Sequence, residues 1–525
     1  MQFIKSLARP DDLKSRLVLV LISIILYSLS MPGSSLPLLT WVTFIPVALA
    51  INNASPRRAA LMFYLIAIGC NLVVIWWLIP AVINFTQLNQ YLAFLVLIGF
   101  TLILASPYAF IGWLIAYKQW FNKPYGMLLI SVCFVVVATV FPTPLPANYA
   151  HSLYQYPIFL QLLGIGGVPM VFFIVVFVNL QFVRFILAIN TDRKIALYAL
   201  ARGLGLLVLV TLYGAWQLAQ YDGADTSKSL KIGIVQPKLI RNDSLNRLYR
   251  MTEELVAENP DIDLLVWPEF PTAFSYVANK QDKKKVDALI KKLQKPMVIV
   301  SGYSYDEGES QDKPTSEYYN TAHLIDQKRQ LKASYRKQTL VPFFEYIPNE
   351  QNFPFLRKLF PDTHRYASGN QTSLFQLDGE VRIIPLICYE TIFPGMTQDF
   401  IEQGGNLIIN LTNDIWLGDS KGSAYHFSLG LFRSIEHRVP WVRATNSGIS
   451  GVASASGVIN QDSLTPVQSV ATRVFEVGIP SERSFYSRYG DWFLYGLIVL
   501  LVLALFDRKL KSLINRAPLK SRPSA

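Results

Sequence analysis

Three side chains in this 525-residue chain stand where they could do chemistry together. Cys388 closes an apolar, β-prone run from Ile383 to Ile387. Glu269 ends the run Leu-Leu-Val-Trp-Pro-Glu, and Lys337 follows a run that ends at Tyr335. Side chains at strand ends of α/β folds leave the packed sheet for a crevice. A cysteine that attacks a carbonyl needs a base for its proton and a cation or donor for the oxyanion. Glu269, Lys337 and Cys388 supply those three parts. Each alone has a duller reading: a lone cysteine is more often a core thiol, and a Glu or Lys after a strand is normally solvated. Glu345 stands eight residues beyond Lys337, Glu390 two beyond Cys388, and Pro394 reads as the stop of that segment.

The elements that must position these groups alternate between strand and helix. Strands are expected at Lys231–Gln236, Leu264–Trp267, Met297–Gly302, Tyr318–Asp326, Gln330–Tyr335, the run ending at Cys388, Asn406–Leu411 and Trp441–Thr445. Helices are expected at Asn246–Glu258, Lys283–Leu293 and Ser423–His437. The mixture fits a layered α/β sandwich over about 220–489. Within it, Phe343 to Phe360 is a long irregular stretch rich in aromatic residues. It reads either as packing on its own domain or as a cover that touches lipid, because aromatic rings favour the membrane interface.

The rest of the chain is apolar. Hydrophobic residues make up 52% and charged residues 16%, too greasy for a wholly water-exposed protein. Runs able to span a bilayer, which needs about 20 residues, lie near 17–33, 36–53, 59–80, 91–117, 125–143, 165–188, 196–216 and 490–506. These eight transmembrane helices divide the chain into a seven-helix part (1–219), a polar domain (220–489) and a final helix with a basic tail (490–525).

The net charge of +12 is not spread evenly. Residues 221–489 hold 30 Lys and Arg against 31 Asp and Glu, which leaves 18 basic and 5 acidic residues in the flanks. That distribution orients membrane helices and does not make a phosphate-binding surface, so nucleic acid is excluded as a partner. Basic residues occupy alternate connections (Arg57, Arg58; Lys118, Lys123; Arg193, Lys194) and both ends (Lys5, Arg9, Lys14, Arg16; Arg508, Lys509, Lys511, Arg516, Lys520, Arg522). The positive-inside rule then puts both termini in the cytoplasm and the polar domain outside. Lys283–Lys285, Lys291 and Lys292 read as a solvated helix face. Cys70 and Cys133 fall in apolar runs, so no disulfide framework is available to the polar domain.

The ordered segments Trp267-Pro268-Glu269, Tyr335-Arg336-Lys337 and Cys388-Tyr389-Glu390 resemble the signature of the carbon–nitrogen hydrolase (nitrilase) superfamily. Four further segments agree: Tyr319-Asn320-Thr321, Leu340-Val341-Pro342-Phe343, Asn413-Asp414-Ile415-Trp416-Leu417-Gly418 and Arg443-Ala444-Thr445-Asn446-Ser447-Gly448. The flanking spans narrow the resemblance to the bacterial apolipoprotein N-acyltransferases. The resemblance implies an αββα sandwich on a polytopic α-helical membrane domain in the bacterial inner membrane. It implies Glu269 as general base, Lys337 as oxyanion stabiliser and Cys388 as acyl-carrying nucleophile. Glu345 corresponds to the second active-site acid, and Tyr389 and Glu390 follow the nucleophile as in that family. The implied partners are a phospholipid acyl donor and a diacylglyceryl-lipoprotein acceptor. Four places depart from the pattern: Thr339 where a His is usual, Phe344 for a Gly, Phe270-Pro271 for small residues, and Val235-Gln236-Pro237 without its Gly. None removes a catalytic group.

Two other readings remain open at this point: a membrane-anchored amidase of nitrilase type, and a catalytically degenerate lipid-binding membrane protein. His426 and His437, eleven residues apart, lack a third ligand at metal spacing and read as surface or capping residues. Gly404-Gly405 lacks the surroundings of a nucleotide loop. No metal or cofactor is expected, and nothing demands more than a monomer.

Overall fold

The computed structural model describes residues 12–514 apart from 86–87, 223–227, 240–244, 271–273, 294–295, 306–317, 362 and 378. Pro271 and the terminal basic residues Lys5, Arg9, Arg516, Lys520 and Arg522 lie outside the described residues.

Five helices are long and apolar enough to cross a membrane: α1 (Leu13–Ser30), α3 (Pro56–Val74), α5 (Gln90–Tyr117), α7 (Leu163–Ala188) and the first 29 residues of α8 (Arg193–Asp222). Shorter apolar elements are α2 (Ile45–Ile51), α4 (Leu78–Phe85), α6 (Gly126–Val140) and the start of α13 (Trp492–Ile514). The expected continuous span at 36–53 is instead a 3₁₀ turn, Pro37–Trp41, followed by the seven-residue α2. Asn179 of α7 supports this break from within the membrane layer. Its Nδ2 donates to the Thr40 carbonyl at 3.0 Å and its Oδ1 accepts from Phe44 N–H at 3.0 Å. Backbone polar groups at that depth need such a partner, because hydrocarbon offers none.

The polar domain contains two sheets. The first has the order β11-β1-β2-β3-β4-β5, formed by β1 (Lys228–Gln236), β2 (Leu264–Val266), β3 (Met297–Tyr305), β4 (Tyr318–Ile325), β5 (Leu331–Arg336) and β11 (Ala471–Ile479). The second has the order β10-β9-β8-β7-β6, formed by β6 (Phe375–Gln376), β7 (Arg382–Ile387), β8 (Leu407–Thr412), β9 (Trp441–Thr445) and β10 (Gly451–Ala453). Alternation along the strands separates two cores. Ile232, Ile234, Leu264, Val266 and Ile299 face the second sheet. Val235, Leu265, Trp267, Val298 and Val300 face helices α9 (Leu245–Glu258) and α10 (Lys280–Leu293). The expected lysines of α10 are solvent-exposed as read.

On the far side of the second sheet lie α11 (Pro394–Glu402) and α12 (Gly422–His437). Pro394 does not end a segment. It opens α11, where a missing N–H costs nothing because the first turn has no acceptor for it. Helix α12 packs against α7, so the sandwich core and the membrane-helix core are one continuous cluster. That placement overturns the surface reading of two histidines. His437 is fully buried with Nδ1 3.2 Å from Ser487 Oγ, and His426 is nearly so.

Candidate active site

Each functional side chain stands where a strand stops. Glu269 follows β2, Lys337 follows β5 and Cys388 follows β7. Cys388 opens a 3₁₀ turn (Cys388–Ile392) with φ of 52°, a left-handed conformation that costs a non-glycine residue roughly 1–3 kcal/mol. The three converge on one cavity of about 490 Å³, which Asn320, Glu345 and His364 also line. Its opposite wall is aromatic, with Phe270, Tyr303, Tyr305, Tyr318, Phe344 and Trp416. Trp416 touches Phe344 at 5.5 Å and Trp77, in the turn between α3 and α4, at 6.1 Å between ring centroids, so this wall reaches the apolar helical part of the chain.

Lys337 is 1% exposed and sits between two carboxylates. Its Nζ lies 2.8 Å from Glu345 Oε1 and 3.5 Å from Glu269 Oε1. Burial works against the charged amine, but Glu345 and then Glu269 outweigh it and hold its pKa well above the ordinary lysine range. Asn320 Nδ2 ties the two acids together, donating to Glu269 at 2.7 Å and to Glu345 at 3.2 Å. Glu345 Oε2 also accepts from Val341 N–H at 2.8 Å, which fixes the loop after Lys337. Burial raises the Glu269 carboxyl, Lys337 lowers it and Glu345 raises it, for a net upward shift. Burial, and then the Glu269 charge, push the Cys388 thiol up. Burial thus favours the neutral thiol in a cavity that also holds a carboxylate and a buried lysine.

Tyr389 and Glu390 are not brought into the cavity. Tyr389 Oη donates to the Pro144 carbonyl at 2.5 Å, joining the Cys388 turn to the connection between α6 and α7. Glu390 is fully buried beneath the site. Its Oε1 accepts from Tyr335 Oη (2.7 Å), Gln338 N–H (2.6 Å) and Thr339 N–H (3.2 Å), and its Oε2 from Ile387 N–H (2.8 Å). This one carboxylate clamps the Lys337 loop to the end of β7. The backbone amide of Thr339 makes one of these contacts, so the departure from His at that position leaves the clamp in place. Glu390→Gln would turn an amide N–H₂ toward a donor. It should cost about 1–3 kcal/mol of stability, read as a lower thermal midpoint in detergent.

The aromatic stretch 343–360 packs on its own domain. Ile347 is buried, Phe343 stacks near Phe360 at 4.9 Å, and Glu350 pairs with Arg357 at 2.7 Å and Arg365 at 3.2 Å. It still leaves Phe353, Phe355 and Leu359 exposed, an apolar rim on the domain. Sequence reasoning quoted Asn320 and Asp414 without giving them roles, and missed Asn410 and His426 as neighbours of Cys388. Their signal was polarity inside otherwise apolar elements. No group of three or more His, Cys, Asp or Glu able to hold a metal occurs among the described residues.

A cysteine, a carboxylate and a lysine at the strand ends of a two-sheet sandwich define a carbon–nitrogen hydrolase domain, here set on membrane-length helices. The carbon–nitrogen hydrolase family model matches residues 231–469, and that of the apolipoprotein N-acyltransferase N-terminal domain matches 23–181. The chain belongs to the apolipoprotein N-acyltransferase family. It is 28% identical over 500 residues to the apolipoprotein N-acyltransferase of Geobacter metallireducens, covering 92% of this chain and 93% of that one. The Brucella suis enzyme is 29% identical over 500 residues (90% and 89%). That of Bdellovibrio bacteriovorus is 33% identical over 272 residues (50% and 47%).

Proposed function

We propose that the protein moves an acyl chain from a membrane phospholipid to the free α-amine of an S-diacylglyceryl-cysteine at a lipoprotein N-terminus. The observation that carries this reading is Lys337 Nζ held between Glu345 and Glu269 in the cavity that contains Cys388. In the first half-reaction the Cys388 thiol gives its proton to Glu269 while sulfur bonds to the ester carbonyl carbon. Lys337 stabilises the oxyanion. The carbon–oxygen bond then breaks, Glu269 returns the proton to the departing oxygen, and a lysophospholipid leaves. In the second half-reaction the amine nitrogen attacks the thioester and loses its proton to Glu269. The carbon–sulfur bond breaks, the thiolate recovers the proton, and an amide remains.

The surroundings support lipid substrates. The aromatic wall continues through Trp416 to Trp77, and the rim carries Phe353, Phe355 and Leu359 outward. Excluding water matters because hydrolysis would discharge the thioester. We read the eight apolar segments, the broken one at 36–53 included, as crossing the bacterial inner membrane, with both termini cytoplasmic and the catalytic domain periplasmic, acting as a monomer. The test is growth of a strain depleted of its own lipoprotein N-acylation. The wild-type chain should rescue it and Cys388→Ala should not; rescue by Cys388→Ala would reject the mechanism.

A further inference from the structure

The backbone of the nucleophile is gripped as firmly as its side chain. The Cys388 carbonyl faces His426 Nε2 at 3.3 Å and accepts from Asn410 Nδ2 at 3.4 Å. Since a carbonyl can only accept, the His426 contact requires the proton on Nε2, whether the ring is neutral or charged. Behind it, His426 Nδ1 lies 2.9 Å from Asp414 Oδ1 and 3.1 Å from Arg443 Nη2. Arg443 then donates to Asp414 Oδ2 at 2.9 Å and to Asn410 Oδ1 at 2.8 Å, closing a ring of side chains around the peptide. Asn410, Asp414 and Arg443 are fully buried. Gly448 makes room for this ring, because a Cβ there would come within 2.1 Å of Asp414 Oδ2.

The consequence follows from peptide geometry. The bond between Cys388 and Tyr389 is trans, so its N–H points opposite to its C=O. Neither His426 nor Asn410 lines the cavity, whereas Cys388 does. Holding the carbonyl toward those two residues turns the Tyr389 N–H toward the cavity side. We propose that His426, backed by Asp414 and Arg443, is a positioning residue that sets the Cys388–Tyr389 peptide so that its N–H joins Lys337 in holding the oxyanion. This also gives a purpose to the left-handed conformation of Cys388, which the two carbonyl contacts stabilise. The inference rests on the acyl-transfer reading of the site.

The test compares two reactions of one thiol in the purified full-length protein. Acylation by phospholipid passes through an oxyanion; alkylation by iodoacetamide uses the same thiol and base but forms none. His426→Phe keeps the ring's bulk and removes the donor. Single-turnover thioester formation should fall about 10²-fold, with KM for phospholipid and the alkylation rate changed by less than about threefold. His426→Gln, which carries an N–H near the Nε2 position, should recover acylation to within about tenfold of wild type. Unchanged acylation in His426→Phe, a parallel loss of alkylation, or no recovery in His426→Gln would each overturn the proposal. A wild-type protein that alkylates but forms no thioester would instead overturn the acyl-transfer reading itself, and the inference with it.

Discussion

Glu269→Gln is expected to slow thioester formation on Cys388 by about 10²–10⁴-fold, the usual contribution of a positioned general base. The substitution keeps the side chain's size but removes the proton acceptor for a thiol that burial keeps protonated. Asn320 and Lys337 would still find an amide oxygen, so the fold should survive. Loss should therefore fall on the rate rather than on the amount of protein in the membrane, as single-turnover kinetics and immunoblotting would separate. The wild-type pH profile supplies a companion reading. As the proposed base, Glu269 works only when deprotonated, and its pKa is raised, chiefly by burial. Activity should fall on the acid side at a pH above the ordinary glutamate range of about 4.3.

Lys337→Met is expected to be more damaging still. It removes the cation proposed to stabilise the oxyanion, which by itself costs about 10²–10³-fold. It also leaves two buried carboxylates, Glu269 and Glu345, without the ammonium that both contact. Taking one partner from a buried ion pair typically costs about 3–5 kcal/mol. The acids would respond by taking up a proton, so the base would be lost along with the cation. Acylation should become undetectable, and the thermal midpoint in detergent should drop. A Lys337→Met protein that keeps wild-type stability would contradict the arrangement of Glu269, Lys337 and Glu345 described above. Lys337→Arg is not a conservative control, because a planar guanidinium does not fit a site built for a compact ammonium.

Which parts of this were legible in the sequence follows from which interactions are local. Glu269, Lys337 and Cys388 could be found because each ends an apolar run whose β character is written in adjacent residues. The same holds for α9, α10 and α12, whose apolar spacing marks a helix regardless of its neighbours. Strand β11 was missed because only Phe475, Val477 and Ile479 alternate cleanly as buried positions, while Ala471 to Val474 are half-buried. The break at 36–53 was missed because it depends on Asn179, well over a hundred residues away. His426 was misread for a similar reason. A histidine on a helix reads as solvated until the helix is found wedged between a sheet and a membrane domain. The left-handed turn at Cys388 has no local signature, since no glycine is there to announce it.

The most direct test of the central claim is mass spectrometry of the protein purified from membranes, before and after neutral hydroxylamine. The wild-type peptide containing Cys388 should carry a long-chain acyl mass that hydroxylamine removes, and incubation with the lipoprotein acceptor should discharge it. Cys388→Ala should carry none. An acyl group found on another residue, or phospholipid consumed at the wild-type rate by Cys388→Ala, would contradict the assignment of Cys388 as the acyl carrier.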